Sequence, residues 1–197
     1  IKASYHPNKV LIEIKNEIKR TVSEEEAVLL LLWYESKEGN RISNAENRIS
    51  MINEQEEMTD KSPSQLDNQR FLNNIQQIIS HSKIDELLTK LQYNSMFVIF
   101  TVISTIKEPN QPLNLFYFNN QIIKVKDKLK IKTQEIITQS SAYTYKNTNE
   151  KDLEKYILFL KNSKSQNFIN SINIGIMNVA DKSGGELIRN LNRFLDK

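Results

Sequence analysis

Apolar residues recur along this chain at three- and four-residue steps. Val10, Ile14 and Ile18 stand four apart with Lys and Glu between them, which predicts an amphipathic helix over 8–20. Ser23 and Glu26 have capping-box spacing, and Glu24 and Glu25 put negative charge where a helix dipole is positive. A second helix is expected to start there and to run through Ala27–Tyr34. That stretch is apolar on every face, which predicts a central, buried helix. The pattern breaks at Ser36 and Gly39 and resumes as Ile42, Ala45, Ile49 and Ile52, so a bend is expected near Ser36.

Residues 53–66 are rich in Asn, Gln, Glu, Asp and Ser and include Pro63, the composition of a polar linker. Phe71, Ile75, Ile78 and Ile79 line one further helix. After Ser80, His81 and Ser82, the residues Ile84, Leu87, Leu88 and Leu91 line another, and Ser82 with Asp85 again has capping spacing; a helical hairpin is expected. Met96–Ile106 carries several β-branched residues, yet its length and continuity favour helix, ended by Pro109 and Pro112. Residues 113–133 fit two patterns. Ile123, Val125, Leu129 and Ile131 alternate with lysines at the period of a strand, while Phe118, Ile122, Val125, Leu129 and Ile136 fit a helical stripe. Helix is the expectation, because an isolated hairpin has no sheet to join. Asn149 with Asp152 caps a helix bearing Leu153, Tyr156, Ile157 and Leu160, and a last helix is expected after Ser183-Gly184-Gly185-Glu186, with Leu187, Leu191 and Phe194 on one side.

Sliding the chain by 127 positions lays Leu30–Trp33 over Ile157–Leu160, and lays Ile42, Ala45, Ile49 and Ile52 over Ile169, Ile172, Ile176 and Val179. Cap, bend and stripe coincide, which indicates an internal repeat. The fold expected is all-α: one domain over 1–197, a bundle of about 7–9 helices in which two similar helix–bend–helix units, near 21–53 and 148–180, flank a central helical hairpin.

The segment Ser23-Glu24-Glu25-Glu26, followed by Trp33-Tyr34-Glu35-Ser36-Lys37-Glu38-Gly39 and Ala45-Glu46, resembles the motif of an exported proteobacterial family catalogued as domain of unknown function 2059. That motif is an acidic cap, an aromatic pair and Ser-Pro-x-Gly. Ala142-Tyr143-Thr144-Tyr145 and Leu153–Ser163 are similar to its second block. Lys37 and Lys164 stand where Pro is usual, and Gln166 where a second Gly is usual. The resemblance spans most of residues 20–180. It implies an all-helical, periplasmic or secreted protein of a Gram-negative bacterium, and it carries over no catalytic residue. The chain begins at Ile1 without Met or a basic-then-apolar leader, so the expectation is an N-terminal segment either processed or left out of this sequence, and the missing leader is uninformative.

Composition narrows the chemistry. With 4 Gly and 4 Pro in 197 residues, the chain lacks the turn residues of a sandwich or propeller. The absence of Cys removes thiol catalysis and Cys-based zinc sites. The longest apolar runs fall short of the ~18 residues of a membrane span. A net charge of +3 is no nucleic-acid signature, although residues 1–60 hold 8 basic against 12 acidic side chains and the rest 19 against 12. His6 and His81 have no second His at helical spacing, and neither a Gly-x-Ser-x-Gly elbow nor a phosphate-cradling loop occurs. No catalytic residue, metal or cofactor is therefore expected.

Two surfaces stand out. Trp33 and Tyr34 read as a buried ring at the bend, with Ser36 accepting a backbone N–H and Gly39 allowing close approach, or as a recognition patch. Lys124, Lys126, Lys128, Lys130 and Lys132 read as a solvated face with buried stems, or as an attractor for anionic lipid or polyanion in weak peripheral contact. Nucleic acid ranks lower, since Phe116, Tyr117 and Phe118 sit beside the comb rather than within it. The expected function is a non-enzymatic helical interaction or structural module of the bacterial cell envelope with a protein partner. The alternative is a carrier of a small apolar ligand or lipid in an inter-helix cavity.

Overall fold

A computed structural model describes residues 7–50, 68–108 and 111–195. Among them the chain is all-α, with eight helices and no strand: α1 (Pro7–Thr21), α2 (Glu24–Glu35), α3 (Lys37–Ser50), α4 (Gln69–Ser82), α5 (Ile84–Lys107), α6 (Leu115–Tyr145), α7 (Glu150–Lys161) and α8 (Ser163–Leu195). Ile52, His6 and the expected linker over 53–66 lie outside the described residues.

Local chemistry sets the helix starts. Ser23 closes a full capping box on α2: its hydroxyl accepts from Glu26 N at 3.2 Å and its own N–H donates to Glu26 Oε2 at 2.8 Å. Asn149 Oδ1 accepts from Asp152 N at 2.9 Å to start α7, and Asn114 Oδ1 accepts from Tyr117 N at 2.8 Å to start α6. Between α4 and α5 the chain turns on Lys83 alone, in the left-handed region at φ 55°, and the Ser82 hydroxyl donates to Ile79 O at 3.1 Å.

Three expectations change. The apolar stretch in α2 is not buried: only Leu30 is, while Val28, Leu29, Leu31 and Leu32 stand about half open. A helix apolar all round carries no face signal, so its burial is decided by which neighbours reach it. No break occurs at Gly184-Gly185, and α8 runs through both. A Cβ on Gly184 would lie 2.6 Å from Val98 Cγ2, so glycine there serves the close approach of α8 to α5. Along α6, Ile136 is exposed and Ile137 buried, reversing the expected stripe.

The helices sort into two compact units interleaved along the sequence. One comprises Thr21–Asp85 and Gln134–Ile169, the other Ile1–Arg20, Glu86–Thr133 and Asn170–Lys197, each taken over its described residues. In the first, α4 lies parallel to α7: Arg70 pairs with Glu150 and Glu154 near the two starts, and Lys161 donates to Gln77 near the two ends. Its core holds Ile42, Phe71, Ile75, Leu153, Ile157 and Leu160. In the second, α5 and α6 run antiparallel, with Phe100 against Tyr117 and Phe118, and Thr133 Oγ1 donating to Gln92 Oε1 at 3.0 Å. There α8 crosses α1 so closely that a Cβ on Gly175 would stand 2.7 Å from Ile14 Cα.

The α6 discrepancy follows from this division. Up to Thr133 its buried positions are Phe118, Ile122 and Thr133; beyond it they are Ile137, Ala142 and Tyr145. Different neighbours are served by different faces of one helix. Leu153, fully buried where α7 meets its unit, gives a direct test. Leu153→Ala is expected to lower the unfolding free energy by about 2–5 kcal/mol in urea titrations, with unchanged helicity before the transition.

Candidate interaction site

The two helix–bend–helix units are α2–α3 and α7–α8. Ser36 and Asn162 end the first helix of each in extended backbone, at φ −66° and −64°, and their N–H groups bond to Trp33 O and Phe159 O. Asn149 lies 126 positions after Ser23, and Asn162 the same 126 after Ser36. The register is therefore one residue shorter than the 127 expected from apolar stripes. Stripes spaced three and four apart tolerate a one-residue slide, whereas a cap is a single residue and does not. In this register Trp33 corresponds to Phe159, Gly39 to Ser165 and Ala45 to Ser171, the last two pairs small and buried in both copies.

At the first bend the Ser36 hydroxyl works in both directions, donating to Trp33 O at 2.6 Å and accepting from Gly39 N at 3.0 Å. It thus closes α2 and opens α3. A Cβ on Gly39 would stand 2.0 Å from Trp33 O, closer than any side chain permits. Only glycine fits.

Equivalent residues of the two copies meet. Trp33 stacks on Phe159 with ring centroids 4.6 Å apart and planes within 11°. Arg41, in α3, donates to both oxygens of Asp152 at 2.6 and 2.7 Å, and Asn167, its counterpart 126 positions on, donates to Glu26 at 3.3 and 3.4 Å. Glu26 and Asp152 are themselves counterparts, each three residues after its cap. The second helix of each copy therefore completes the start of the other's first helix. The Arg41 guanidinium holds the Asp152 carboxyl below its usual range, and the Ser23 backbone N–H, with Asn167, does the same for Glu26.

Beside the stack, Glu46 Oε1 accepts from Tyr145 Oη at 2.7 Å and from Tyr156 Oη at 2.9 Å. Burial, then the Glu46 charge, pushes the Tyr145 phenol up; burial also leads for Tyr156. Tyr34 meets Phe159 and Phe168 edge-on and is likewise raised by burial. The buried Trp33 Nε1 has no hydrogen-bond partner among the described residues. Glu46, Arg41, Asp152 and Tyr156 were not singled out as a cluster from sequence. Glu46 and Tyr145 do stand in the two motif blocks, but no spacing rule joins residues 99 apart.

Trp33 also lines a groove of about 430 Å³ with Leu29, Leu158 and Phe159, rimmed by Lys155 and Lys164. Tyr34 is 40% exposed. Lys124, Lys126, Lys128, Lys130 and Lys132 belong to the other unit, all exposed and without an ion pair among the described residues. Among those residues no three His, Asp or Glu side chains converge, and no helix is long and apolar enough to cross a membrane.

The tyrosine–glutamate cluster generates a pH prediction. A phenol whose folded pKa is raised contributes stability that is complete below the ordinary pKa of about 10 and is lost as pH climbs beyond it. Urea midpoints are expected to fall steeply above about pH 10, and Tyr145→Phe is expected to flatten that fall while costing about 1 kcal/mol at pH 7. Comparison with family models, curated proteins and solved structures finds no match to this chain.

Proposed function

We propose that this chain is a non-enzymatic helical interaction module of the bacterial cell envelope, and that the open face of α2 receives an amphipathic helix of a protein partner. The envelope placement rests on the motif resemblance alone. The docking rests on the comparison of the two copies. On α7, the face bearing Leu153, Ile157 and Leu160 is covered by α4 and fully buried. The corresponding face of α2 bears Ala27, Leu31 and Tyr34, and Leu31 is 57% exposed. Next to it, Val28 and Leu29 occupy positions that in α7 are Glu154 and Lys155. The scaffold itself therefore accepts charge at these positions, and their apolar character in α2 calls for another cause.

Charge extends the correspondence. Glu24 stands where Glu150 holds Arg70, and it is exposed without an ion pair among the described residues. The partner helix accordingly carries a cation in its first turn and apolar residues at the spacing of Phe71, Ile75 and Ile78. Val28, Leu29, Leu31 and Leu32 with Leu158 offer roughly 500 Å² of apolar surface, enough for a specific but exchangeable contact.

Trp33 is the chain's only tryptophan and adjoins this face, so its emission reports occupancy. A lactam-stabilised helical peptide of residues 68–82 is expected to change it saturably at about 10–500 µM. Leu31→Glu in the protein, or Ile75→Glu in the peptide, is expected to weaken binding at least tenfold. No response to millimolar peptide, with α2 intact by circular dichroism, would overturn the reading.

A further inference from the structure

The unit that holds α5 from Glu86 and α6 up to Thr133 carries a surface of different chemistry. Between these helices runs a groove of about 380 Å³, walled by Tyr93, Met96, Ile122 and Ile123, with Lys126 and Lys130 on its rim. Toward the turn the two ridges stay apolar and open. Ile99 and Ile103 follow Met96 by three and seven residues, and Phe116 precedes Ile123 by seven, so each set shares a helix face. Ile99 and Ile103 are about half exposed, and Phe116 is 77% exposed.

Charge is segregated along the pair. Neither 91–106 nor 112–123 contains a charged residue. The turn holds the adjacent, opposite charges Lys107 and Glu108. From Lys124 onward α6 carries five lysines against one acid, Asp127, in nine residues. Lys124 lies about 13 Å along the axis from Leu115. The order is an apolar end, then a cationic band.

We propose that this face of the α5–α6 pair docks on an anionic lipid bilayer. Phe116, Ile99 and Ile103 enter the boundary between headgroups and acyl chains, while Lys126 and Lys130 meet the phosphates with their stems along the groove. Charge complementarity names the occupant: unpaired ammoniums bordering exposed apolar ridges match a surface with anions above hydrocarbon. A single-stranded nucleic acid would instead need aromatic rings interleaved with the cations, and here Phe116 and Tyr117 precede them. Contact is peripheral, since neither helix is long and apolar enough to span. This inference stands apart from the α2 face.

Vesicle co-sedimentation tests it with the whole chain. Partitioning is expected into phosphatidylcholine vesicles containing roughly a third phosphatidylglycerol, not into phosphatidylcholine alone, and to fall at least tenfold between about 50 and 500 mM salt. Lys126→Glu with Lys130→Glu is expected to reduce it tenfold or more, at roughly fivefold per lysine. Phe116→Ser is expected to reduce it several-fold and leave the salt dependence unchanged. All three sites are exposed, and circular dichroism checks that the variants remain helical. Absence of binding to anionic vesicles at low salt would overturn the proposal. So would equal binding of wild type and Phe116→Ser to vesicles together with tight binding to heparin, which would mark a polyanion site without lipid contact.

Discussion

The acid three residues into α2 and the acid three residues into α7 each reach beyond their own helix. Glu26 accepts from Asn167 and Asp152 from Arg41, and both acceptors are counterparts in the repeat, as are both donors. A helix start leaves four backbone N–H groups without intrahelical partners, and the anion there stabilises them. When that anion is held by the second helix of the other copy, neither start is complete alone. α2 and α7 have 12 residues each, close to the length at which isolated helices are marginal in water. Mutual completion is thus a condition for both helices, and the Trp33–Phe159 stack between equivalent positions fixes the separation at which it occurs.

Near-symmetry makes the differences between the copies informative. One copy has α4 along it, with Ile157 buried; the other leaves Leu31 open. The bends differ too. Ser36 uses one hydroxyl for two tasks and requires Gly39 beneath Trp33 O, whereas Asn162 accepts from Lys164 N through its side-chain oxygen and tolerates Ser165 at the corresponding place. The lysine that occupies the usual proline position of the resembled motif is Lys37, the first residue of α3, where proline's missing N–H would cost nothing. In the second copy that position is Ser163, so Lys164 is not its equivalent in the cap-defined register.

Helix existence was legible where a single residue carries the signal. Ser23, Asn149 and the bend at Ser36 are local features, and local hydrogen bonds realise them. What depends on distant neighbours was not legible. The exposure of α2 is set by which helices lie beside it, and no property of Ala27–Tyr34 encodes that. Gly184 interrupts nothing because Val98, 86 residues earlier, demands the space a Cβ would fill. The Arg41–Asp152 bridge joins residues 111 apart whose types alone are unremarkable in a chain with 27 basic and 24 acidic side chains.

The lysine-rich stretch of α6 has a more specific reason for its ambiguity. A helix that buries one face throughout shows a single stripe, but α6 buries Phe118, Ile122 and Thr133 in one unit and Ile137, Ala142 and Tyr145 in the other. The stripe shifts beyond Thr133, while before it the window from Ile123 to Lys132 sets Ile123, Val125 and Ile131, all exposed, among the lysines, an alternation that imitates a strand. Within that window the apolar residues outside the first stripe, Ile123 and Ile131, remain exposed among lysines that have no acidic partner there. A helix needing only solubility has no use for isoleucine at those positions. The same residues that blur the secondary-structure signal are thus the ones that give this part of α6 a surface chemistry of its own.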